Sequence, residues 1–331
     1  MLAKVTHLLP LELQQLLTKL PSDIQQDMEE IRVREARPLE IGFRGQSRLV
    51  AKDGTFAWRP DEAFIPSEEQ CRTLLEKISN YSLYSIEEEL RRGYITVSGG
   101  HRIGLVGRTI LEQGHVKGIR DIGAFNIRIA REMIGAGTSL LPKLLDTVNQ
   151  SIHSTLIIAP PQHGKTTMIR DLARSISYGY WPKSISSNWS GKKVGIVDER
   201  SEIAACVRGI PTFDVGPRTD VMDACPKAEG MMMMLRSMSP EILIADEIGR
   251  QADGEAIIEA SHAGIRVIAT AHAFDMTDVL GRPIIKKLME EGAFRLVVQL
   301  RKTASGIYHH VIDTSTLLQT NNVETNAGTL K

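Results

Sequence analysis

A lysine followed by two threonines, directly after a glycine, is the residue pattern in this chain best suited to chemistry. The apolar, β-branched run Ser154–Ile158 predicts a strand before it, and the amphipathic run Met168–Ala173 predicts a helix after it. A tight turn between a strand and a helix points backbone N–H groups at a bound phosphate. We therefore predict a nucleotide-binding loop formed by Ala159, Pro160, Pro161, Gln162, His163, Gly164, Lys165, Thr166 and Thr167.

Two side chains of this loop have the chemistry that ATP and Mg²⁺ require. Lys165 can reach the β- and γ-phosphates, and the Thr166 hydroxyl can ligate Mg²⁺. Ala159 stands where the strict motif has glycine. Taken alone, the loop also fits an ordinary glycine turn with an exposed lysine.

A second apolar run, Ile242–Ala245, ends directly in Asp246 and Glu247. In a nucleotide-hydrolysing sheet, Asp246 would hold Mg²⁺, partly through water, and Glu247 would polarise the attacking water. A strand and two helical patterns separate this pair from Lys165. Together the two signatures predict a sheet that binds and hydrolyses ATP.

Polar residues also follow two other predicted strands. The run Val194–Val197 leads into Asp198 and Glu199, at the end of a strand where open α/β sheets bind ligands. A strand-end turn with a helix cap is the alternative for these acids. The strand that begins at Ile265 ends near His272, and we predict that His272 or Thr270 senses the γ-phosphate, against a plain hydrogen-bonded strand end.

A basic stripe extends from Arg91 to Arg131, with eight lysines and arginines against two acidic residues. It fits a solvated face with ion pairs, arginines that face a nucleotide, or a nucleic-acid surface. Few aromatic residues interleave it, which argues against nucleic acid. If the stripe faces a nucleotide, Arg120 or Arg128, together with Lys165, would neutralise the charge that develops during hydrolysis.

The whole chain has ordinary globular composition. Of its 331 residues, 42% are hydrophobic and 24% charged, and 40 basic residues balance 40 acidic ones. Such balance gives no overall attraction to nucleic acid or an anionic membrane. Three widely spaced cysteines indicate buried thiols in a reducing compartment, and we find no signal sequence or long apolar run, so we expect a cytoplasmic protein.

The coarse secondary structure predicts two domains. We expect a smaller N-terminal α+β domain over residues 1–134 and the nucleotide-binding domain over 135–313. Residues 314–331 are polar and predict a disordered tail. Further predictions are two short helices between Leu9 and Arg34, a hairpin at Pro38–Val50, a helix capped by Ser67, a helix at Ser85–Arg92, short strands from Tyr94 to Ile129, a helix at Leu140–Gln150, a loop at Ile210–Asp223 and an antiparallel closing hairpin at 294–300 and 306–312.

A helix that starts at Pro226 carries four successive methionines, Met231 to Met234, followed by Met238. Four consecutive methionines cover every face of a helix. They predict an adaptable core helix, with a groove for a partner or a membrane as the alternative.

With these motifs located, the sequence resembles the stage III sporulation protein AA family of endospore-forming bacteria, which is similar to the secretion ATPases of type II and type IV systems. The resemblance covers most of the chain. It rests on the phosphate loop and on the segments Ile196–Glu202, Ala245–Arg250, Thr270–His272, Gly93–Thr96, Gly99–Leu105 and Arg120–Asp121.

The resemblance implies a RecA-like P-loop ATPase domain and a hexameric motor. Such a motor would lie peripherally on the cytosolic face of the mother-cell membrane and act with membrane-embedded sporulation channel proteins. The resemblance also assigns an acidic box to Asp198 and Glu199 and a histidine box to His272. A nucleotide-dependent nucleic-acid-binding protein and a P-loop kinase remain as rival interpretations, although no arginine-rich lid follows the loop.

Overall fold

The structure is a computed structural model that describes residues 1–79, 90–91, 93–130, 132–161, 163–182, 189–303 and 306–315. The chain divides into two compact units, Met1–Arg131 and Glu132–Lys331. The domain boundaries expected from the sequence stay a prediction. Of the expected helix at Ser85–Arg92, only residues 90 and 91 are described, and residues 316–331 of the expected tail lie outside the described ranges.

The first unit is an α+β unit built on an antiparallel sheet. The strand order is β4-β3-β2-β1-β7-β6-β5. Its strands are β1 Met28–Arg34, β2 Glu40–Phe43, β3 Gln46–Val50, β4 Phe56–Ala57, β5 Tyr94–Val97, β6 His101–Glu112 and β7 His115–Arg128, and its helices are α1 Leu11–Leu17, α2 Ser22–Asp27 and α3 Glu68–Ile78.

Local sequence explains the helix starts of this unit. Ser67 caps α3 as expected: its side chain accepts from the Gln70 N–H, and the Gln70 side chain accepts from the Ser67 N–H. The second helix is shorter than predicted, because Met28 and Ile31, which fit the helical spacing, lie instead in β1. Both side chains are fully buried in the core of this unit.

The second unit is an α/β unit with a mostly parallel sheet in the order β12-β11-β13-β14-β10-β15-β16. Adjacent strands are parallel from β12 to β15, and the β15–β16 pair is antiparallel. The strands are β10 Thr155–Ala159, β11 Val194–Asp198, β12 Thr219–Asp223, β13 Ile242–Ala245, β14 Arg266–His272, β15 Leu296–Thr303 and β16 Gly306–Asp313, and a small two-stranded sheet joins β8 Leu145–Asp146 to β9 Ser151–Ile152.

Helices cover both faces of this sheet. Ile157 on β10 packs into the core that contains Met168 and Leu172 of α4, Lys165–Tyr178. The neighbouring strand residues Leu156 and Ile158 point to the opposite face. That face carries α5 Lys227–Ser237, α6 Gln251–His262 and α8 Pro283–Glu290, and α7 Met276–Leu280 precedes α8.

Two local predictions for this unit are wrong. The expected helix at Leu140–Gln150 is a 3₁₀ turn, Leu141–Lys143, followed by β8 and β9. The expected loop at Ile210–Asp223 ends in strand β12. The expected closing hairpin is confirmed: β15 and β16 pair antiparallel at the edge of the sheet, and β15 joins β10 in parallel.

None of the helices formed by the described residues combines the length and apolarity needed to cross a membrane. The cysteines are free thiols; Cys71 and Cys206 are buried and Cys225 is partly exposed. Burial raises the pKa of the Cys71 thiol to about 11 and that of Cys206 to about 12. Both thiols therefore stay protonated at neutral pH.

Candidate nucleotide site

The segment from β10 to α4 forms a strand, a loop and a helix in the order expected for a phosphate loop. Gly164 precedes α4 with a φ of 80°, in the left-handed region, and a Cβ there would lie 2.5 Å from Ile307 Cδ1. Among the described residues, no side chain caps this helix start. Its first N–H groups are therefore suited to an anion. Gln162 lies outside the described residues.

Lys165 is buried, with 5% of its surface exposed, and its ammonium group has three acceptors. It donates to the carbonyl oxygens of Ala159 at 3.0 Å and Pro160 at 3.1 Å, and it lies 2.9 Å from His272 Nδ1. Burial lowers the pKa of Lys165, while the charges of Asp246 and Glu247 act in the opposite direction. All three protons of the ammonium group thus have a partner.

His272 connects Lys165 to Glu247. Since the Lys165 ammonium can only donate, His272 Nδ1 accepts from it. His272 Nε2 lies 2.8 Å from Glu247 Oε1, and a carboxylate can only accept, so Nε2 carries the proton. The contacts therefore assign the neutral Nε2–H tautomer to this histidine.

Thr166, Asp246 and Thr270 form a second chain of contacts. The Thr166 hydroxyl donates to Asp246 Oδ2 at 2.6 Å, and the Thr270 hydroxyl donates to Asp246 Oδ1. The Glu247 N–H in turn donates to Thr270 Oγ1 at 2.8 Å. The structure therefore brings together the ends of β10, β13 and β14, as the motif spacing predicts.

Glu247 has an unusual backbone conformation, with a φ of 52°, in the left-handed region that non-glycine residues rarely adopt. Its other carboxylate oxygen, Oε2, lies 2.9 Å from Arg200 Nη1. Backbone strain of this kind clusters at functional sites. Sequence reasoning assigned no role to Arg200; its position directly after Asp198 and Glu199 is the signal that could have found it.

Glu199 lies beside this cluster and contacts two cations. Its carboxylate forms an ion pair with Lys227 and lies 3.8 Å from Arg250 Nη1. Burial opposes its ionisation, but Lys227, Arg250 and Arg200 together lower its pKa. Sequence reasoning assigned no role to Lys227 or Arg250 either, since neither is near Glu199 in the chain.

Asp198 anchors the loop that carries Glu199 and Arg200. Its buried carboxylate accepts from the backbone N–H groups of residues 202, 203 and 204 at 2.8–2.9 Å. Burial raises the pKa of Asp198 to about 6. Arg170 on α4 holds the same loop by donating to the carbonyl oxygens of Glu202 and Ile203. The contacts of Asp198 are therefore those of a loop anchor.

The remaining predicted residues lie as follows. His163 Nδ1 donates to the Pro161 carbonyl at 2.8 Å. Arg120 and Arg128 lie on β7 of the first unit, where Arg120 is 3.6 Å from Asp121, and their role toward a nucleotide stays a prediction. Elsewhere in the basic stripe, Lys117 pairs with Glu112 and Arg102 lies over the Tyr94 ring; Arg92 and Arg131 fall outside the described residues.

The parallel strand order, the glycine loop after β10 and the acidic end of β13 define a RecA-like P-loop fold with a smaller N-terminal α+β unit. The model of the family "Sporulation stage III, protein AA" matches residues 2–313, and the chain belongs to this family. Stage III sporulation protein AA of Bacillus subtilis (strain 168) is 46% identical over 327 residues, which cover 97% of this chain and 99% of that protein.

Solved structures show the same fold. The pilus retraction motor PilT with bound ADP aligns with a TM-score of 0.61 and 15% identity, covering 92% of this chain and 86% of its own. The Legionella pneumophila ATPase DotB aligns with a TM-score of 0.56 and 15% identity, covering 96% of this chain and 86% of its own. At this identity the likeness concerns the fold.

Proposed function

We propose that this protein is a Mg²⁺-dependent ATPase. The observation that carries the proposal is the contact of Thr166 Oγ1 with Asp246 Oδ2 at 2.6 Å, beside the buried Lys165. This contact joins a hydroxyl of the phosphate loop to the acidic end of a neighbouring strand. It unites the two halves of an ATP site that lie far apart in the sequence.

The residues fit both ATP and Mg²⁺. A hydroxyl and a carboxylate are the hard oxygen donors that Mg²⁺ prefers, and Mg²⁺ is usually bound by one or two carboxylates with waters and phosphates. Among the described residues, no group of three or more His, Cys, Asp or Glu side chains could hold a metal. Thr166 and Asp246 would hold Mg²⁺, which when bound neutralises polyphosphate charge.

Different residues of the chain have different roles in ATP hydrolysis. Residues 159–167 cradle the phosphates, with Lys165 placed to offset negative charge. Glu247 accepts a proton from the attacking water at its carboxylate. His272 orients this carboxylate through Nε2 and contacts Lys165 through Nδ1, so it links the phosphate end of the site to the water end. Glu199 adds negative charge beside this site, and Arg120 or Arg128 would neutralise the charge that develops during hydrolysis.

We further propose that hydrolysis drives a homo-oligomeric motor, a hexamer, on the cytosolic face of the mother-cell membrane. The motor would energise a channel complex of membrane-embedded sporulation proteins between mother cell and forespore. Support comes from family membership and from a fold shared with a protein described as a pilus retraction motor and another described as an ATPase.

Glu247→Gln tests the proposal. The amide cannot take a proton from water, so we expect ATP turnover to fall by about 10²- to 10⁴-fold while a fluorescent ATP analogue still binds. Light scattering with a non-hydrolysable ATP analogue should show a shift of mass to a hexamer.

The matched control is Glu290→Gln, which changes an exposed glutamate on α8 and should leave turnover unchanged. Near-normal hydrolysis by Glu247→Gln would exclude the role given to this carboxylate. A monomer with and without the analogue would count against the ring.

A further inference from the structure

Residues of α5 and α6 line a surface groove of about 450 Å³. The apolar floor of this groove includes two of the four successive methionines of α5. Met231 and Met234 are buried in the core of the second unit, as the core-helix prediction requires. Met232 is partly exposed and Met233 is 50% exposed, and both line the groove. The helix therefore presents methionine both to the core and to the surface.

The floor of the groove is apolar and adaptable. Met232 and Met233 on α5 face Ala252 and Ala256 on α6, and the small alanines leave the space that makes the groove. Ala252 and Ala256 are four residues apart and so share one face of their helix. Methionine surfaces of this kind accommodate apolar side chains of varied shape.

The rim of the groove is acidic. Glu229 on α5 and both Glu255 and Glu259 on α6 are exposed along it, and Arg236 is the opposing charge among the lining residues. A row of carboxylates beside an apolar floor is complementary to a segment with apolar residues on one side and lysines or arginines on the other.

A groove lined by two helices suits a third helix, which would place its i, i+3, i+4 and i+7 residues on the floor. Within the described part of this chain, α8 is an amphipathic helix with lysines, but Lys286 and Lys287 lie 3.7 Å from Glu290 and Glu291 of the same segment. Its basic side chains are thus already paired, which favours a separate protein as the occupant.

We propose that this groove binds a basic amphipathic helix of a partner protein. The inference rests on the proposed function for the choice of partner: cytosolic segments of membrane proteins carry an excess of lysine and arginine, so a membrane-embedded channel protein supplies the required chemistry. The groove is then the surface through which the ATPase contacts that protein.

The groove is also connected to the candidate nucleotide site. Lys227 is the first residue of α5, and Arg250 directly precedes α6; both face the Glu199 carboxylate. One side chain at the site thus contacts the first turns of both groove helices. A change in the position of Glu199 would alter the spacing of α5 and α6, and with it the affinity for the partner helix.

Fluorescence anisotropy tests the groove directly. The probe is a fluorescein-labelled helical peptide of about 14 residues, with leucines on one face and lysines on the other. We expect micromolar binding to the full-length protein without nucleotide. Met233→Gln and Glu255→Lys should each weaken binding about tenfold, through loss of apolar contact and reversal of a rim charge.

Matched controls keep the test specific. Met238→Gln changes an exposed methionine beyond the groove lining, and Glu69→Lys changes an exposed glutamate of α3; neither should alter binding. Equal binding by groove and control variants would overturn the proposal, as would equal binding of a peptide with glutamates in place of the lysines.

A change in the mass of the protein alone on Met233→Gln would instead assign the groove to a second copy of the chain and overturn the partner-helix proposal. Because the peptide is tested without nucleotide, its failure is separate from failure of the ATPase proposal. Binding of a fluorescent ATP analogue, measured in the same variants, distinguishes the two.

Discussion

The Thr270 hydroxyl joins the two acidic residues that follow β13. It donates to Asp246 and accepts from the Glu247 N–H, and its side chain is fully buried. The second contact holds the backbone of Glu247 where its φ is 52°. Thr270 thus positions both the proposed Mg²⁺ ligand and the proposed base without being a charged residue itself.

Thr270→Val should separate this positioning role from packing, since valine keeps the shape and loses the hydroxyl. It leaves a partly buried carboxylate oxygen of Asp246 and the partly buried N–H of Glu247 without their partner, so we expect about 1–3 kcal/mol of lost unfolding free energy in urea titrations. ATP turnover should fall as well, because Asp246 and Glu247 lose the hydroxyl that positions them.

Thr270→Ser is the rescue variant because it restores the hydroxyl, and Thr277→Val at an exposed position is the control. If Thr270→Val kept full turnover and full stability, the hydroxyl would not position the acidic pair.

At the scale of elements, the loop that leads into the second unit is fastened to α4 by one carboxylate. Asp171 is 2% exposed and accepts from the N–H groups of Gly135 at 3.0 Å and Gly137 at 2.8 Å. The same carboxylate accepts two bonds from Arg174. The helix that begins at the phosphate loop is therefore tied to the segment 133–138, which the sequence marks as the connector between domains.

Asp171→Ala should loosen this attachment and destabilise the second unit. Removing one partner of a buried ion pair leaves the Arg174 charge and two N–H groups unsatisfied, at a cost of about 3–5 kcal/mol. Thermal unfolding followed by circular dichroism measures the effect.

Asp61→Ala is the contrasting variant. The side chains of Asp61 and Arg59 are both exposed, so their ion pair should contribute less than about 1 kcal/mol to the free energy of unfolding. Equal shifts in melting temperature for the two variants would show that the Asp171 carboxylate does not stabilise the fold.

At the scale of the whole molecule, pH should change the stability of the two units in opposite directions. His101 in the first unit is buried; its Nδ1 accepts from the Ala130 N–H. Burial, then the charges of Lys4 and His7, lower its pKa to about 4. Asp198 in the second unit has its pKa raised by burial to about 6.

The direction of each pKa shift determines how the group changes the free energy of unfolding with pH. His101 contributes stability that is present above its unfolded pKa of about 6.5 and is lost as pH falls through about 4. Asp198 contributes stability that is present below about pH 3.8 and is lost as pH rises through about 6.

The stability of each unit can be measured by hydrogen exchange at several pH values, corrected for intrinsic rates. The amides of β6 report on the first unit and those of β11 on the second. Between pH 4 and 6.5 protection of β6 should rise, and the Asp198 contribution to β11 should fall. His101→Gln and Asp198→Asn should each flatten the trend of their own unit, and parallel trends in both units would contradict the assignment.

The parts that could be predicted from the sequence are those with local signals. The buried strands β10 and β13 are continuous apolar runs. Each is followed directly by residues of the proposed ATP site. The segment Leu140–Gln150 has leucines at helical spacing, yet Leu145 and Asp146 pair with Ile152 and Ser151, because a nearby partner strand outweighs local periodicity.

The ion pairs of Glu199 and Glu247 with distant residues could not be predicted from spacing. Arg200 reaches Glu247 because β11 and β13 are neighbours in the sheet, and Lys227, which follows β12, reaches Glu199 because β12 is the other neighbour of β11. The sequence places each charge at a strand or helix end, but it does not specify which opposite charge lies across from it. Only the strand order decides this.

The strand order also bears on how the chain is synthesised. β10, which carries the phosphate loop, is paired with β14 and β15, which end at His272 and Thr303. On the ribosome, both edges of β10 therefore stay open for on the order of ten seconds after it is made. The first unit has all its strands by Arg128 and can fold meanwhile. The candidate ATP site is thus completed only after Thr303 has been made, and a chain released before Thr303 would expose an apolar strand prone to aggregation.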